Sequence, residues 1–197
     1  MGAENKSLAN HEVLILAVYL LGGETQRIDT EDIAVKANEL APGRFAWKKY
    51  PEQINLELIR VYLSDAKKHE KGRYIVGSGN TGWMLSQQGL QFARARAPRL
   101  GVEDLSRPAV DAKTQRWIRR ERNRLLTDDA HQRFIRDGAE SVTRQQAEAF
   151  FRLDAYVTGD ARQTKLLRIV NAFGEDSDLG GTVRALASKL QEPINGK

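Results

Sequence analysis

Residues 74–89 read YIVGSGNTGWMLSQQG, and the fold depends on how this stretch is interpreted. Two short runs of β-branched and aromatic residues enclose GSGNTG, a literal match to the dinucleotide-binding pattern G-x-G-x-x-G. That pattern binds a pyrophosphate only where its last glycine leads into a helix N-terminus. Here Gly82 is followed by Trp83, Met84 and Leu85, which predict a second strand. The glycines are therefore predicted to turn the chain within a β-hairpin.

Three helices are predicted before this hairpin and one after it. Apolar residues recur at helical spacing in residues 10–21, 30–40, 51–71 and 86–97. The residues expected to begin these helices are Asn10, Thr30, Pro51 and Ser86. The third helix is expected to bury Ile54, Leu58, Val61 and Tyr62. A short edge strand is expected at Ile28.

The order of three helices, a hairpin and a closing helix is that of a winged helix-turn-helix domain. A strand ending W-x-L-[ST] then leads into a helix that opens x-x-G, here Trp83, Leu85, Ser86 and Gly89. Residues 10–96 thereby resemble the winged-helix domains of bacterial DNA-binding regulators. The resemblance implies that the third helix reads duplex DNA and that the hairpin is the wing.

Polar residues of the third helix and of the wing are the predicted DNA contacts. Arginine suits guanine edges and Gln or Asn suits adenine edges, so Arg60, Gln53 and Asn55 are the predicted base readers. Lysines on either side suit phosphate contacts, which set position rather than sequence. The full set in this half is Lys48, Lys49, Gln53, Asn55, Arg60, Ser64, Lys67, Lys68, Arg73 and Asn80. Trp47 and Trp83 are interpreted as packing aromatics.

Two alternatives stay open for this segment. Glu52 and Glu57 add negative charge, and the connection before the third helix is longer than in a tight helix-turn-helix, so the loop could make the recognition contacts instead. The basic residues could also be an ordinary solvated face. Residues 36–99 nevertheless hold 12 Lys and Arg against 5 Asp and Glu, a larger surplus than the +5 of the whole chain. The basic character is concentrated on the elements predicted to bind DNA.

The composition excludes several kinds of site. The chain has 197 residues and no cysteine, so it has no disulfide and no thiolate ligand or nucleophile. Its three histidines are far apart in sequence, and neither a metal nor a cofactor is expected. The longest apolar run, residues 13–21, is about half of a membrane span. A cytoplasmic protein without a membrane segment is predicted.

The C-terminal half reads as a linker at residues 98–110 followed by helices at residues 111–197. Lys113, Arg116, Arg120 and Arg124 fall within an arc of roughly 80° on one helix, a stripe that could follow a phosphate backbone. Arg116 and Arg120 are the DNA contacts predicted there, and the alternative is pairing of these arginines with residues such as Asp128 and Asp129. Two later amphipathic stripes comprise Leu166, Ile169, Val170 and Phe173, and Val183, Leu186, Ala187 and Leu190.

Two acidic segments in this half resemble functional sites without meeting their requirements. Asp176 and Asp178 begin like a calcium loop, but the twelfth position is Ala187 rather than glutamate, so a turn with Thr182 as helix cap is predicted. The cluster of Asp128, Asp129 and His131 has no partner acid or nucleophile near it in sequence, so a hydrolytic site is not favoured.

Together these observations predict a mainly α protein with a small β-hairpin: a winged helix-turn-helix domain at residues 1–97, the linker, and a helical domain at residues 111–197. The predicted function is DNA binding without catalysis, by a homodimeric transcriptional regulator whose C-terminal helices dimerise or bind a protein partner. The alternative is a winged-helix adaptor in a protein or nucleoprotein assembly such as a bacterial defence system.

Overall fold

The computed structural model describes residues 8–98 and 112–191 of the chain. Over these residues the protein is mainly helical, with nine α-helices and one two-stranded antiparallel hairpin. The predicted fold class is confirmed at this level. The chain divides into two compact units, residues 1–109 and 110–197. The predicted linker, residues 98–110, lies outside the described residues except at Pro98.

In the first unit, three helices and the hairpin surround one central helix. The elements are α1 (Asn10–Leu20), α2 (Thr30–Leu40), α3 (Leu56–Ala66), β1 (Ile75–Ser78), β2 (Gly82–Leu85) and α4 (Gln87–Arg96). α1 contacts α2, α3, α4 and β2, and its residues 13–18 are all buried. Because it is covered on several sides, α1 is apolar nearly all round rather than amphipathic. The longest apolar run of the sequence is therefore a core helix.

The hairpin forms where the glycine-rich segment predicts it. β1 and β2 pair from Ile75 opposite Leu85 to Ser78 opposite Gly82. Gly77 has φ +119°, and a Cβ there would lie 2.1 Å from the carbonyl oxygen of Gly82. Glycine is thus required by the close approach of the two strands. Ile28, predicted as a short edge strand, bridges β2 through two 2.8 Å backbone hydrogen bonds with Trp83.

The predicted caps at Asn10 and Thr30 and the predicted start at Pro51 are wrong, although α1 does begin at Asn10 and α2 at Thr30. α1 is capped at Ala9 rather than Asn10, and α2 is capped by Asp29, whose carboxylate accepts a hydrogen bond from the Glu31 amide. Thr30 is buried instead, and its hydroxyl accepts from the Trp83 indole at 3.0 Å. Ser86 caps α4 as predicted, accepting from the Gly89 amide at 3.0 Å.

α3 begins at Leu56, five residues after the predicted start at Pro51, because the Asn55 side chain caps it by accepting from the Leu58 amide at 3.1 Å. The buried positions of α3 are Ile59, Leu63 and Ala66. Val61, predicted to be buried, is 54% exposed. The error arose because counting from Pro51 treated loop residues as helix and so misplaced the apolar face.

Residues 112–191 of the second unit form five α-helices around one core. They are α5 (Ala112–Leu126), α6 (Asp129–Asp137), α7 (Arg144–Phe150), α8 (Gly159–Phe173) and α9 (Gly180–Gln191). The two amphipathic stripes predicted here pack into this core, with Leu190 at its edge. None of the helices in the described parts of the chain has both the length and the apolarity needed to cross a bilayer.

The acidic loop before α9 is held by an arginine. The Arg122 guanidinium donates to Asp176 at 2.8 Å and to Asp178 at 2.5 Å. This ion pair holds the pKa of Asp176 below its ordinary value. Thr182 does not cap α9, contrary to prediction: it is buried within the helix, and its hydroxyl is 2.9 Å from Nδ1 of His131.

Candidate nucleic-acid interface

The connection between α2 and α3 contains a loop closed at its base. Ala46 bridges Ile54, and the Trp47 amide donates to the carbonyl of Gln53 at 3.1 Å. Just below, the Asn55 amide donates to the carbonyl of Phe45 at 2.7 Å, and Phe45 is fully buried. All seven residues from 47 to 53 are exposed. These residues, the 47–53 loop, therefore project from an anchored base.

The 47–53 loop combines two lysines with two aromatic side chains. Trp47 is 46% exposed and Tyr50 is 48% exposed, while Lys48 and Lys49 lie between them. Among the described residues no carboxylate lies within 4.0 Å of either lysine. The interpretation of Trp47 as a packing residue is wrong, whereas Trp83 is buried as predicted. Cations flanked by exposed rings suit a phosphate backbone and base faces.

α3 presents a polar face to solvent beside this loop. Glu57, Arg60, Val61 and Ser64 are exposed and fall within an arc of about 100°. One cation of this face, and a second just beyond the end of α3, have acidic partners nearby in sequence. Arg60 pairs with Glu57, and Lys68 pairs with Asp65 at 2.6 Å, which lowers the pKa of Asp65 and raises that of Lys68. The positive charge of this face is therefore partly offset.

Two of the three predicted base readers do not lie on that face. Gln53 belongs to the exposed 47–53 loop. Asn55 is half-buried, and its side-chain oxygen Oδ1 caps α3. Arg60 alone of the three is an exposed α3 residue. An asparagine directly before the apolar run LELIRVYL was the signal that could have placed the helix start correctly.

The hairpin is fixed to α3 and to the segment before α2 by two basic residues. Lys67 Nζ donates to the carbonyl of Gly77 on β1 at 2.9 Å. From the segment before α2, Arg27 donates to the Thr81 hydroxyl and the Gly82 carbonyl, each at 2.8 Å. Lys67 was predicted to contact phosphate, but the structure uses it to hold the hairpin at the end of α3. Sequence reasoning missed Arg27 because its partners lie more than fifty residues away.

The remaining predicted contacts of the first unit are exposed at the edges of the hairpin. Arg73 stands between α3 and β1 in a left-handed conformation, with φ +50°. Its amide donates to the carbonyl of Lys68, which closes the turn after α3. Asn80 is exposed at the hairpin tip. Lys48, Lys49, Ser64, Arg73 and Asn80 thus all reach solvent around α3.

Arg116 and Arg120 belong to the second unit, where both are exposed on α5. Arg124, the last member of the predicted stripe, turns inward. It donates to Glu121 at 2.8 Å, to Asp128 at 3.2 Å and to the carbonyl of Phe150 at 2.7 Å. The alternative of pairing with Asp128 is therefore realised at this position, and the exposed stripe is shorter than predicted.

Within residues 8–98 and 112–191 no group of three or more His, Asp or Glu side chains is arranged to hold a metal ion. His131 is 1% exposed, and burial lowers its pKa although Asp128 and Asp178 oppose the shift. Its ring is engaged with Thr182 in the core. Comparison of the chain with models of protein families, with curated proteins and with solved structures found no match.

Proposed function

We propose that the protein binds duplex DNA through the first unit, as a winged helix-turn-helix in which α3 and the 47–53 loop face the DNA and the hairpin is the wing. The observation that carries this proposal is the 47–53 loop: seven consecutive exposed residues with two lysines between two exposed aromatic rings. Lysines without carboxylate partners are available to displace condensed counterions from phosphates. Trp47 and Tyr50 offer flat faces for stacking or insertion at a base step.

The proposed regulator is a homodimer, with the second unit responsible for self-association or for binding a protein partner. Ile135 and Tyr156 of that unit are 64% and 95% exposed. Two copies would place two reading surfaces on a pair of half-sites and gain avidity. Light scattering is expected to give about twice the chain mass of 22.2 kDa.

The test is fluorescence anisotropy with random and genomic-library duplexes across a salt series. Replacing both loop lysines, Lys48→Ala with Lys49→Ala, is expected to reduce the salt slope by about 2, since each lost phosphate contact removes about 0.9 from it. The matched control is Arg133→Ala with Arg136→Ala, which removes two exposed cations of α6 in the second unit. Equal effects of the two double variants would refute the loop as the interface.

Arg60→Ala has a different expected signature. Its guanidinium is exposed on α3 and pairs with the neighbouring Glu57. Loss of a base contact should reduce the discrimination between bases at that position by about 1–3 kcal/mol. The salt slope should change little, because no phosphate contact is lost. Binding profiles against a sequence library measure both quantities in one experiment.

A second candidate, a winged-helix adaptor in a protein or nucleoprotein assembly, is favoured by the exposed face of α3. Val61 is 54% exposed on that face, and Arg60 and Lys68 are paired with acidic neighbours. DNA binding no stronger than the net charge explains, with no preferred duplex, would favour this candidate.

A further inference from the structure

The second unit contains a small cavity lined by both apolar and cationic side chains. It has a volume of about 140 Å³ and is lined by residues of α5 and α8 and by the end of α7. Its apolar lining comprises Trp117, Phe151 and Ile169, here called the apolar wall, and its cationic lining comprises Arg152, Lys165 and Arg168, of which Arg168 lies over the Trp117 ring. An apolar cavity of similar size accommodates a benzene ring.

Three cations line this cavity beside a single carboxylate that is already satisfied. Glu121 is 5% exposed, and its Oε1 accepts two hydrogen bonds from Arg124, at 3.0 and 2.8 Å. Arg152 approaches the other oxygen only to 3.6 Å. Among the described residues no carboxylate lies within 4.0 Å of Lys165 or Arg168. The cavity therefore has an excess of positive charge.

Arg168 is held in place before any ligand arrives. Its guanidinium carbon lies 3.8 Å from the centroid of the Trp117 ring. Its Nε is buried and has no hydrogen-bond partner among the described residues. Burial lowers the pKa of this guanidinium, and Glu121 opposes the shift. This buried donor leaves the guanidinium short of acceptors, and a ligand oxygen would bind to the part of the side chain that lines the cavity.

Arg152 occupies a backbone conformation that favours glycine. It follows the C-terminus of α7 with φ +54°, and the amide of the next residue, Leu153, donates back to the carbonyl of Glu148 at 2.8 Å. Helices that end in this way usually have glycine at the left-handed position. The arginine is thus present at a strained site where its side chain lines the cavity.

We propose that this cavity binds a small carboxylic acid as its monoanion, with the carboxylate at Arg168 and Arg152 and an apolar body against Trp117 and Phe151. The apolar wall favours a ligand with a hydrocarbon part over a bare inorganic anion. The buried Glu121 disfavours a second negative charge on the ligand. This proposal is independent of DNA binding, because all the residues it uses belong to the second unit.

The test is titration of isotope-labelled full-length protein with benzoate, followed by the indole N–H signals of the three tryptophans. Benzoate has about nine non-hydrogen atoms, so a Kd on the order of 0.1–1 mM is expected. Trp117 should shift while Trp47 and Trp83, which belong to the first unit, should not. Benzamide, a neutral molecule of the same shape, should bind at least about tenfold more weakly.

Three variants separate binding from folding. Arg168→Gln should weaken benzoate binding by about tenfold or more. Arg152→Gly should weaken it severalfold while leaving the thermal midpoint unchanged or higher, because glycine relieves the left-handed strain. Arg136→Gln removes an exposed cation that lies outside the cavity and pairs with Asp137, and it should bind as the wild type does.

Each possible outcome either supports or overturns the proposal. A benzoate-dependent shift of Trp117 that is diminished in Arg168→Gln and Arg152→Gly supports the proposal. Absence of a shift at about 5 mM benzoate, equal binding of benzamide, or tighter binding of inorganic phosphate than of benzoate would overturn it. Equal loss in the Arg136→Gln control would also overturn it, because the effect would then follow net charge rather than this cavity.

Discussion

At position 89 the space available to a single methyl group decides whether α4 can pack. A Cβ at Gly89 would lie 1.9 Å from the carbonyl oxygen of Tyr74, and its φ is not positive, so the constraint is space rather than backbone conformation. Gly89→Ala is expected to lower the free energy of unfolding by about 1–3 kcal/mol through overpacking. Urea denaturation followed by circular dichroism measures this change.

Gly79→Ala is the matched control for that substitution. Gly79 lies in the hairpin turn, its φ is not positive, and no atom lies within 4 Å of an added Cβ. Its effect should stay within about 0.5 kcal/mol. If Gly89→Ala lowers the free energy of unfolding as little as Gly79→Ala does, the distance between α4 and the residue before β1 must be larger than described.

His131 should make the stability of the protein depend on pH. Burial lowers its pKa, so the folded protein takes up this proton only below the ordinary value of about 6.5, where the unfolded chain already binds it. Below about pH 6.5 the unfolded state therefore binds more protons than the folded state does. The free energy of unfolding should be insensitive to this group above about pH 7 and should decrease as the pH falls below about 6.5.

His131→Gln should remove this slope while retaining a partner for Thr182. Urea titrations at several pH values between 7.5 and 5 give the slope directly. Asp176 and Asp137, whose pKa values are lowered by arginine partners, lose their ion pairs only at more acidic pH and do not contribute in this range.

At the scale of elements, local pattern predicted the helices and the hairpin but misplaced several ends. The hairpin around Gly77 and Gly82 and the amphipathic stripe of α8 could be predicted from the sequence, because both depend on residues that are neighbours along the chain. The start of α3 depended on a choice between Pro51 and Asn55. Both residues are common at helix N-termini. The bridge between Ala46 and Ile54 decides between them, because it holds Ile54 outside the helix, and this bridge is not visible in local periodicity.

The candidate interface was predictable in composition and less so in geometry. The sequence pointed to Lys48 and Lys49, and the structure adds the exposed rings of Trp47 and Tyr50 between which they lie. Whether an aromatic residue is buried depends on the space left by distant elements, which periodicity does not report. The same reason explains why Arg124, expected on an exposed stripe, turns inward to the carbonyl of Phe150.

At the scale of the molecule, the two units have separate cores. The buried cluster containing Leu63 and the cluster containing Leu186 have no residue in common. We therefore expect each unit to respond to its own core substitutions. Leu63→Ala should destabilise the first unit by about 2–5 kcal/mol and leave the second unchanged, and Leu186→Ala should do the reverse.

The indole signals of Trp83 and Trp117 report on the two units separately during a urea titration. Trp83 is buried in the first core, and Trp117 packs against Phe173 of the second, with ring centroids 6.0 Å apart. A selective change in one midpoint is the expected result. Simultaneous displacement of both midpoints by either substitution would mean that the units unfold as one cooperative system.

The closed base of the 47–53 loop also has a consequence for proteolysis. Lys48 and Lys49 are exposed trypsin sites, and α2 and α3 on either side bury Ile33 and Ile59 in the same core. Cleavage after either lysine would divide the backbone while leaving both segments associated, so the nicked unit should stay folded. Bound duplex would cover these peptide bonds, and resistance to trypsin would then serve as a footprint of the DNA on the protein.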